Sequence, residues 1–83
     1  MDKEKVILLK KLGENIGNIR KSKGQTQVEL ANTINKDQQS IQRLEKGNIN
    51  PSFYYLYEIS KGLETDIREL LDFSEETEDK EIK

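Results

Sequence analysis

Signals that stop one helix and start the next recur so closely along this chain that only the first element has room to be long. Gly24, Asn35 and Gly47 accept the left-handed backbone in which helices end, and Gly62 breaks a fourth run. Each stop is followed within a few residues by a side chain able to cap a new helix: Thr26, Asp37, Ser52 and Asp66. Thr26-Gln27-Val28-Glu29 fits a capping box, and Asp66-Ile67-Arg68-Glu69 again places an acid three residues after a cap. Between two of these helices, Gly47-Asn48-Ile49-Asn50-Pro51-Ser52 is dense in breakers.

Apolar residues recur at helical spacing between the signals. Helix one is expected over about residues 4 to 23, with Leu9, Leu12, Ile16 and Ile19 on one face and Arg20, Lys21 and Lys23 at the negative end of its dipole. Helix two carries Val28, Leu30, Ala31 and Ile34, and helix three runs from Gln38 to Lys46. Helix four presents Phe53, Leu56, Tyr57 and Ile59, with Leu63 beyond, and a short helix five leads into Leu70, Leu71 and Phe73. Tyr54 and Tyr55 are flanked by those core candidates, so at least one is expected to face outward, as a dimer contact or as ordinary surface. No stretch alternates as a strand does, and no internal repeat is visible. The expected fold class is all-α, a compact five-helix bundle.

Hydrophobic residues make up 33% of the 83 and charged residues 36%, so the core must be small and a second domain is not expected. The net charge of −2 hides an asymmetry, because positions 72 to 83 hold six acids and two lysines while the first 71 residues are net +2. The expected organisation is therefore one domain over residues 1–73 and an acidic, flexible tail over 74–83, which has too few apolar residues to offset its ordering entropy. Its carboxylates, Glu75, Glu76, Glu78 and Asp79, lack the loop spacing of a calcium site. Cysteine and histidine are absent, which removes disulfides, thiolate zinc sites and imidazole acid–base chemistry. Neither an enzyme nor a metal or cofactor is expected. No apolar run approaches the roughly 20 residues that span a bilayer, and Met1-Asp2-Lys3-Glu4-Lys5 does not lead into a signal-peptide core. A cytoplasmic location without membrane contact follows as an expectation.

The two short helices around Asn35 have the local pattern of a helix-turn-helix. In detail, the strings Gly24-Gln25-Thr26-Gln27-Val28-Glu29-Leu30-Ala31 and Ser40-Ile41-Gln42-Arg43-Leu44-Glu45-Lys46-Gly47, extended by Asn50-Pro51-Ser52 and Glu69-Leu70-Leu71, resemble the phage repressor and Cro-like helix-turn-helix regulators of the xenobiotic response element type. The resemblance covers roughly residues 9 to 73 and implies a lambda repressor-like DNA-binding domain from a bacterial or phage regulator. Three positions depart from the pattern, which usually has glycine where Asn35 and Glu64 stand and alanine where Gly62 stands; Glu64 puts the connection between helices four and five in question.

A helix entering the major groove must show side chains that make paired hydrogen bonds to base edges, and Gln38, Gln39 and Arg43 qualify. The resemblance likewise implies that these three reach bases while Ile41 and Leu44 anchor the helix from behind. Gln27, at the positive end of helix two, is a candidate for holding phosphate, with Lys46, Asn48 and Asn50 beside it; turn formation is the alternative role for the asparagines. Lys10, Lys11, Lys21 and Lys23 either add long-range attraction or are simply solvated. Arg20 and Glu45 are expected, by resemblance, to pair structurally between helices one and three. The implied partner is double-stranded DNA, bound by a homodimer on a partly palindromic operator, with no small-molecule substrate. The rival reading is an interaction module on the same fold, such as an antitoxin or a factor bridging to transcription machinery.

Overall fold

Five side chains that accept hydrogen bonds from backbone amides open the five helices of the computed structural model, which describes residues 2–73. The elements are α1 (Lys3–Ser22), α2 (Gln27–Thr33), α3 (Gln38–Glu45), α4 (Phe53–Gly62) and α5 (Ile67–Leu70), with no strand among the described residues. Asp2 accepts from the Glu4 amide at 3.1 Å, Asp37 from Ser40 at 2.9 Å, Ser52 from Tyr55 at 3.0 Å and Asp66 from Arg68 at 2.8 Å. Thr26 completes its capping box: its hydroxyl accepts from the Glu29 amide at 3.1 Å, and the Glu29 carboxylate accepts from the Thr26 amide at 2.9 Å. Each cap satisfies a donor that the helix itself leaves free.

The helix ends are equally uniform. α1 to α4 are each followed by a residue of positive φ, namely Gly24 (75°), Asn35 (60°), Gly47 (77°) and Glu64 (55°). In each case the next amide reaches back to close the last turn, as Gln25 to the Arg20 carbonyl (3.2 Å), Lys36 to Ala31 (2.8 Å), Asn48 to Arg43 (2.9 Å) and Thr65 to Ser60 (3.0 Å). The substitutions at Asn35 and Glu64 therefore leave the geometry of the turn intact. Residues 74–83, where an acidic flexible tail is expected, lie outside the described residues.

Leu12, Ile16, Leu30, Ala31, Ile41, Leu44, Leu56, Ile59, Leu63 and Leu70 form the buried core, bordered by Ile19, Ile34, Ile49, Tyr55, Ile67 and Phe73. α3 lies between α1 and α2, while α5 joins α4 to α1. α1 turns two glycines, Gly13 and Gly17, toward α3. A Cβ on Gly13 would overlap the Leu44 carbonyl oxygen and sit 2.6 Å from that of Glu45, and one on Gly17 would lie 3.1 Å from the Glu45 carboxylate. At the other end of the bundle, the Asn15 amide donates to the Glu69 and Leu70 carbonyls, both at 2.9 Å, and so ties the four-residue α5 to α1.

Four expectations for the core are corrected. Val28, Phe53, Tyr57 and Leu71 are exposed, while Tyr55, assigned to no stripe, is half-buried against the core. The first turn of α4 projects beyond the bundle, so its inward line starts at Tyr55 and Leu56 and continues through Ile59 and Leu63. Gly62 is the last residue of α4 and is buried against α2, where a Cβ would fall 2.6 Å from Ile34 Cγ2. The alanine implied by the resemblance would require the Ile34 and Leu30 side chains to shift.

Candidate nucleic-acid interface

The eight residues of α3 divide sharply between back and front. Ile41 and Leu44 are 0% and 1% exposed and fix the helix against α1 and α2. Gln39 and Arg43 stand exposed on the opposite side, with Gln38 half-buried at the first turn. Lys46, Asn48 and Asn50 are exposed just beyond the helix. Gln42 is also partly exposed, one turn from Gln38 and Gln39 on one side and from Lys46 on the other. Sequence reasoning passed over Gln42, although its spacing of four from Gln38 was the available signal.

Beneath this surface lies a chain of polar side chains. Arg20, only 7% exposed, donates from Nε to Glu45 Oε2 at 2.6 Å and from Nη2 to Glu45 Oε1 at 3.0 Å, while its Nη1 donates to the Gln25 carbonyl at 2.6 Å. The hydrogen bond to Glu45 raises the Arg20 pKa above its ordinary value; burial opposes the shift and attraction to the carboxylate adds to it. Such a pair is kept for what it orients more than for net stability, since desolvation offsets much of the attraction. Here it joins α1 to the end of α3, the structural role expected for Arg20 and Glu45.

Gln27 extends the chain. Its Nε2 donates to Glu45 Oε1 at 3.0 Å, and its Oε1 accepts from Gln38 Nε2 at 2.7 Å. The residue expected to hold phosphate is thus in direct contact with one expected to read a base. Gln25, which sequence reasoning left unassigned, braces the far side: its Nε2 donates to the Gly62 carbonyl at 3.3 Å. No sequence signal marks either glutamine contact, because each depends on how the helices cross. At the head of α3, the amide and hydroxyl of Ser40 hold the Asp37 carboxyl below the usual carboxylate range.

A helix-turn-helix family profile matches residues 16–70, which takes in all of α2, α3, α4 and α5. The chain belongs to this helix-turn-helix family. It is 35% identical over 68 residues, 82% of this chain and 88% of the relative, to an uncharacterised helix-turn-helix-type transcriptional regulator, y4dJ, of Sinorhizobium fredii. Among solved structures, the restriction-modification controller protein C.AhdI from Aeromonas hydrophila superposes with a TM-score of 0.73 at 29% identity, covering 75% of this chain and 94% of that one. The clp gene regulator ClgR from C. glutamicum superposes at 0.74 with 26% identity, covering 77% and 83%. The matched region contains α2 and α3, from whose residues the resemblance is drawn. No described helix is long and apolar enough to cross a membrane.

Proposed function

We propose that the protein is a sequence-specific reader of duplex DNA, a small repressor or controller that acts as a homodimer on a partly palindromic operator. The observation that carries this reading is the division of α3, whose apolar back is fully buried while Gln38, Gln39 and Arg43 line its polar front. Gln pairs with adenine N6 and N7, and Arg with guanine O6 and N7, so this front suits base edges in the major groove. Gln27, Lys46, Asn48 and Asn50 border it and would hold phosphates, which set register without reading sequence. Binding rather than catalysis is the activity, residues 1–73 are the DNA-binding domain with 74–83 an acidic extension, and the cytoplasm of a bacterial or phage-infected cell is where such a reader meets its operator.

Two-fold protein symmetry would place the two α3 helices in successive major grooves, about 34 Å apart. Phe53, Tyr54 and Tyr57 supply exposed apolar surface on α4 beyond what the core uses, at 70%, 66% and 43% exposure, and support association with a protein. That same patch favours the second reading, an interaction module. Enrichment from a random duplex pool at about 0.15 M salt separates them, comparing wild type with Gln38→Ala/Gln39→Ala/Arg43→Ala. An inverted repeat enriched by wild type and lost in the variant is the expected result. A folded wild type that enriches nothing would transfer the function to a protein partner.

A further inference from the structure

The first turns of α1 carry an apolar stripe that the bundle leaves uncovered. Glu4, Ile7, Leu8 and Lys11 follow one another at steps of three and four, on one face of the helix. Leu9, Leu12, Gly13 and Ile16 lie toward the opposite face, where Leu12, Gly13 and Ile16 are buried. Ile7 and Leu8 are instead 38% and 41% exposed and belong to neither the core nor its border. Glu4 and Lys11 form no salt bridge with another described residue. The family match begins at residue 16, so it does not account for this stripe.

The stripe is complementary to itself when a second copy runs antiparallel. A two-fold axis crossing α1 midway between Ile7 and Leu8 sets Ile7 of each copy against Leu8 of the other. The same axis sets Glu4 of each copy against Lys11 of the other, about 5 Å along the helix to either side of the centre, so an ion pair closes each end of the apolar contact. A parallel arrangement would oppose acid to acid and cation to cation. Lys3, Lys5 and Lys10 stand about a quarter turn or more away around the helix, outside the line of contact. We propose that this face of α1 binds a second copy of the chain, antiparallel through Ile7 and Leu8, with Glu4 and Lys11 setting the direction. Two helical turns from each copy bury less than the roughly 1,200 Å² of a stable interface, so the association is weak and depends on concentration. It uses no residue of α3 and stands or falls apart from the DNA-reading function proposed above.

Sedimentation equilibrium of the full chain, from micromolar to millimolar concentration, tests it. Wild type should show an association step that Ile7→Ser/Leu8→Ser weakens. Glu4→Lys leaves two cations in each stripe and Lys11→Glu two acids, so either variant alone should lose about tenfold or more in that step. Mixed in equal amounts, the two variants again oppose acid to cation and should associate to within about threefold of wild type. The double exchange Glu4→Lys/Lys11→Glu should do the same by itself. Circular dichroism checks that each variant stays helical, and the double exchange decides should a single variant fail to fold. A wild type that stays monomeric throughout, an association that none of these substitutions weakens, or charge exchanges that restore nothing would overturn the proposal.

Discussion

Glu64 and Gly13 show how differently two single residues can sit relative to what their positions require. Glu64 holds a φ of 55°, a conformation in which a Cβ crowds the following carbonyl, and the Thr65-to-Ser60 hydrogen bond shows that the fold imposes it regardless. Glu64→Gly should therefore stabilise the protein by about 0.5 to 1 kcal/mol, the strain relieved less the extra freedom glycine gives the unfolded chain. Gly13 is the reverse case, a helix-interior glycine whose replacement would meet backbone and not a flexible side chain. Gly13→Ala should cost about 2 kcal/mol or more despite the better helix propensity of alanine. Urea midpoints at unchanged slope check both, and a stabilised Gly13→Ala would mean the two helices separate freely. The strain at Glu64 could be suspected from the residue type alone. The purpose of Gly13 could not, since its partner carbonyls lie more than thirty positions further on.

At the scale of elements, the starts of the helices were legible because caps are local chemistry: Thr26, Asp37, Ser52 and Asp66 each act within three residues of themselves. The inward face of α4 was not legible, because a stripe through Phe53 and Tyr57 and one through Tyr55 and Leu56 are equally periodic, and only the end of the bundle decides between them. α5 has four residues and is too short to persist by itself, so its cap matters most. Bonds from the Arg68 side chain and amide lower the Asp66 pKa to about 2 from an ordinary 3.8. A carboxylate depressed in the folded state adds stability that is complete above its unfolded pKa and is lost as pH falls toward the folded one. The Asp66 contribution should thus be present at neutral pH and disappear between about pH 4 and 2. Asp66→Asn should make the acid limb of the stability curve shallower across that window, an effect that added salt reduces because the group is exposed. Helix content followed by circular dichroism against pH measures it, and identical acid limbs would show that the cap contributes nothing.

For the whole molecule, the division of α3 into a buried and an exposed face was readable because its sequence alternates between residues that must be buried and residues with no use for burial. Arg43 and Lys46 are both exposed cations close in sequence, yet the proposed function gives them different tasks. Arg43→Ala should cost about 1 to 3 kcal/mol on the operator and relax preference at one base pair of each half-site. Lys46→Ala should weaken all sequences alike and lower the salt slope of binding by about one. Fluorescence titrations at several salt concentrations distinguish the two, and equal losses on every DNA would contradict the assignment. The contact between Gln27 and Gln38 escaped sequence reasoning because the residues come from different helices, eleven positions apart, and meet only once α2 and α3 are packed. It also bears on how such a protein diverges over generations. Gln39 and Arg43 make no side-chain hydrogen bond to the rest of the described chain, so an altered operator can be matched there by one substitution at a time. Gln38 is tethered to Gln27, and through it to the ion pair that joins α1 to the end of α3. On the proposed function, the base pair read by Gln38 should be the last to drift in a lineage of related regulators, because changing it requires two codons to move together.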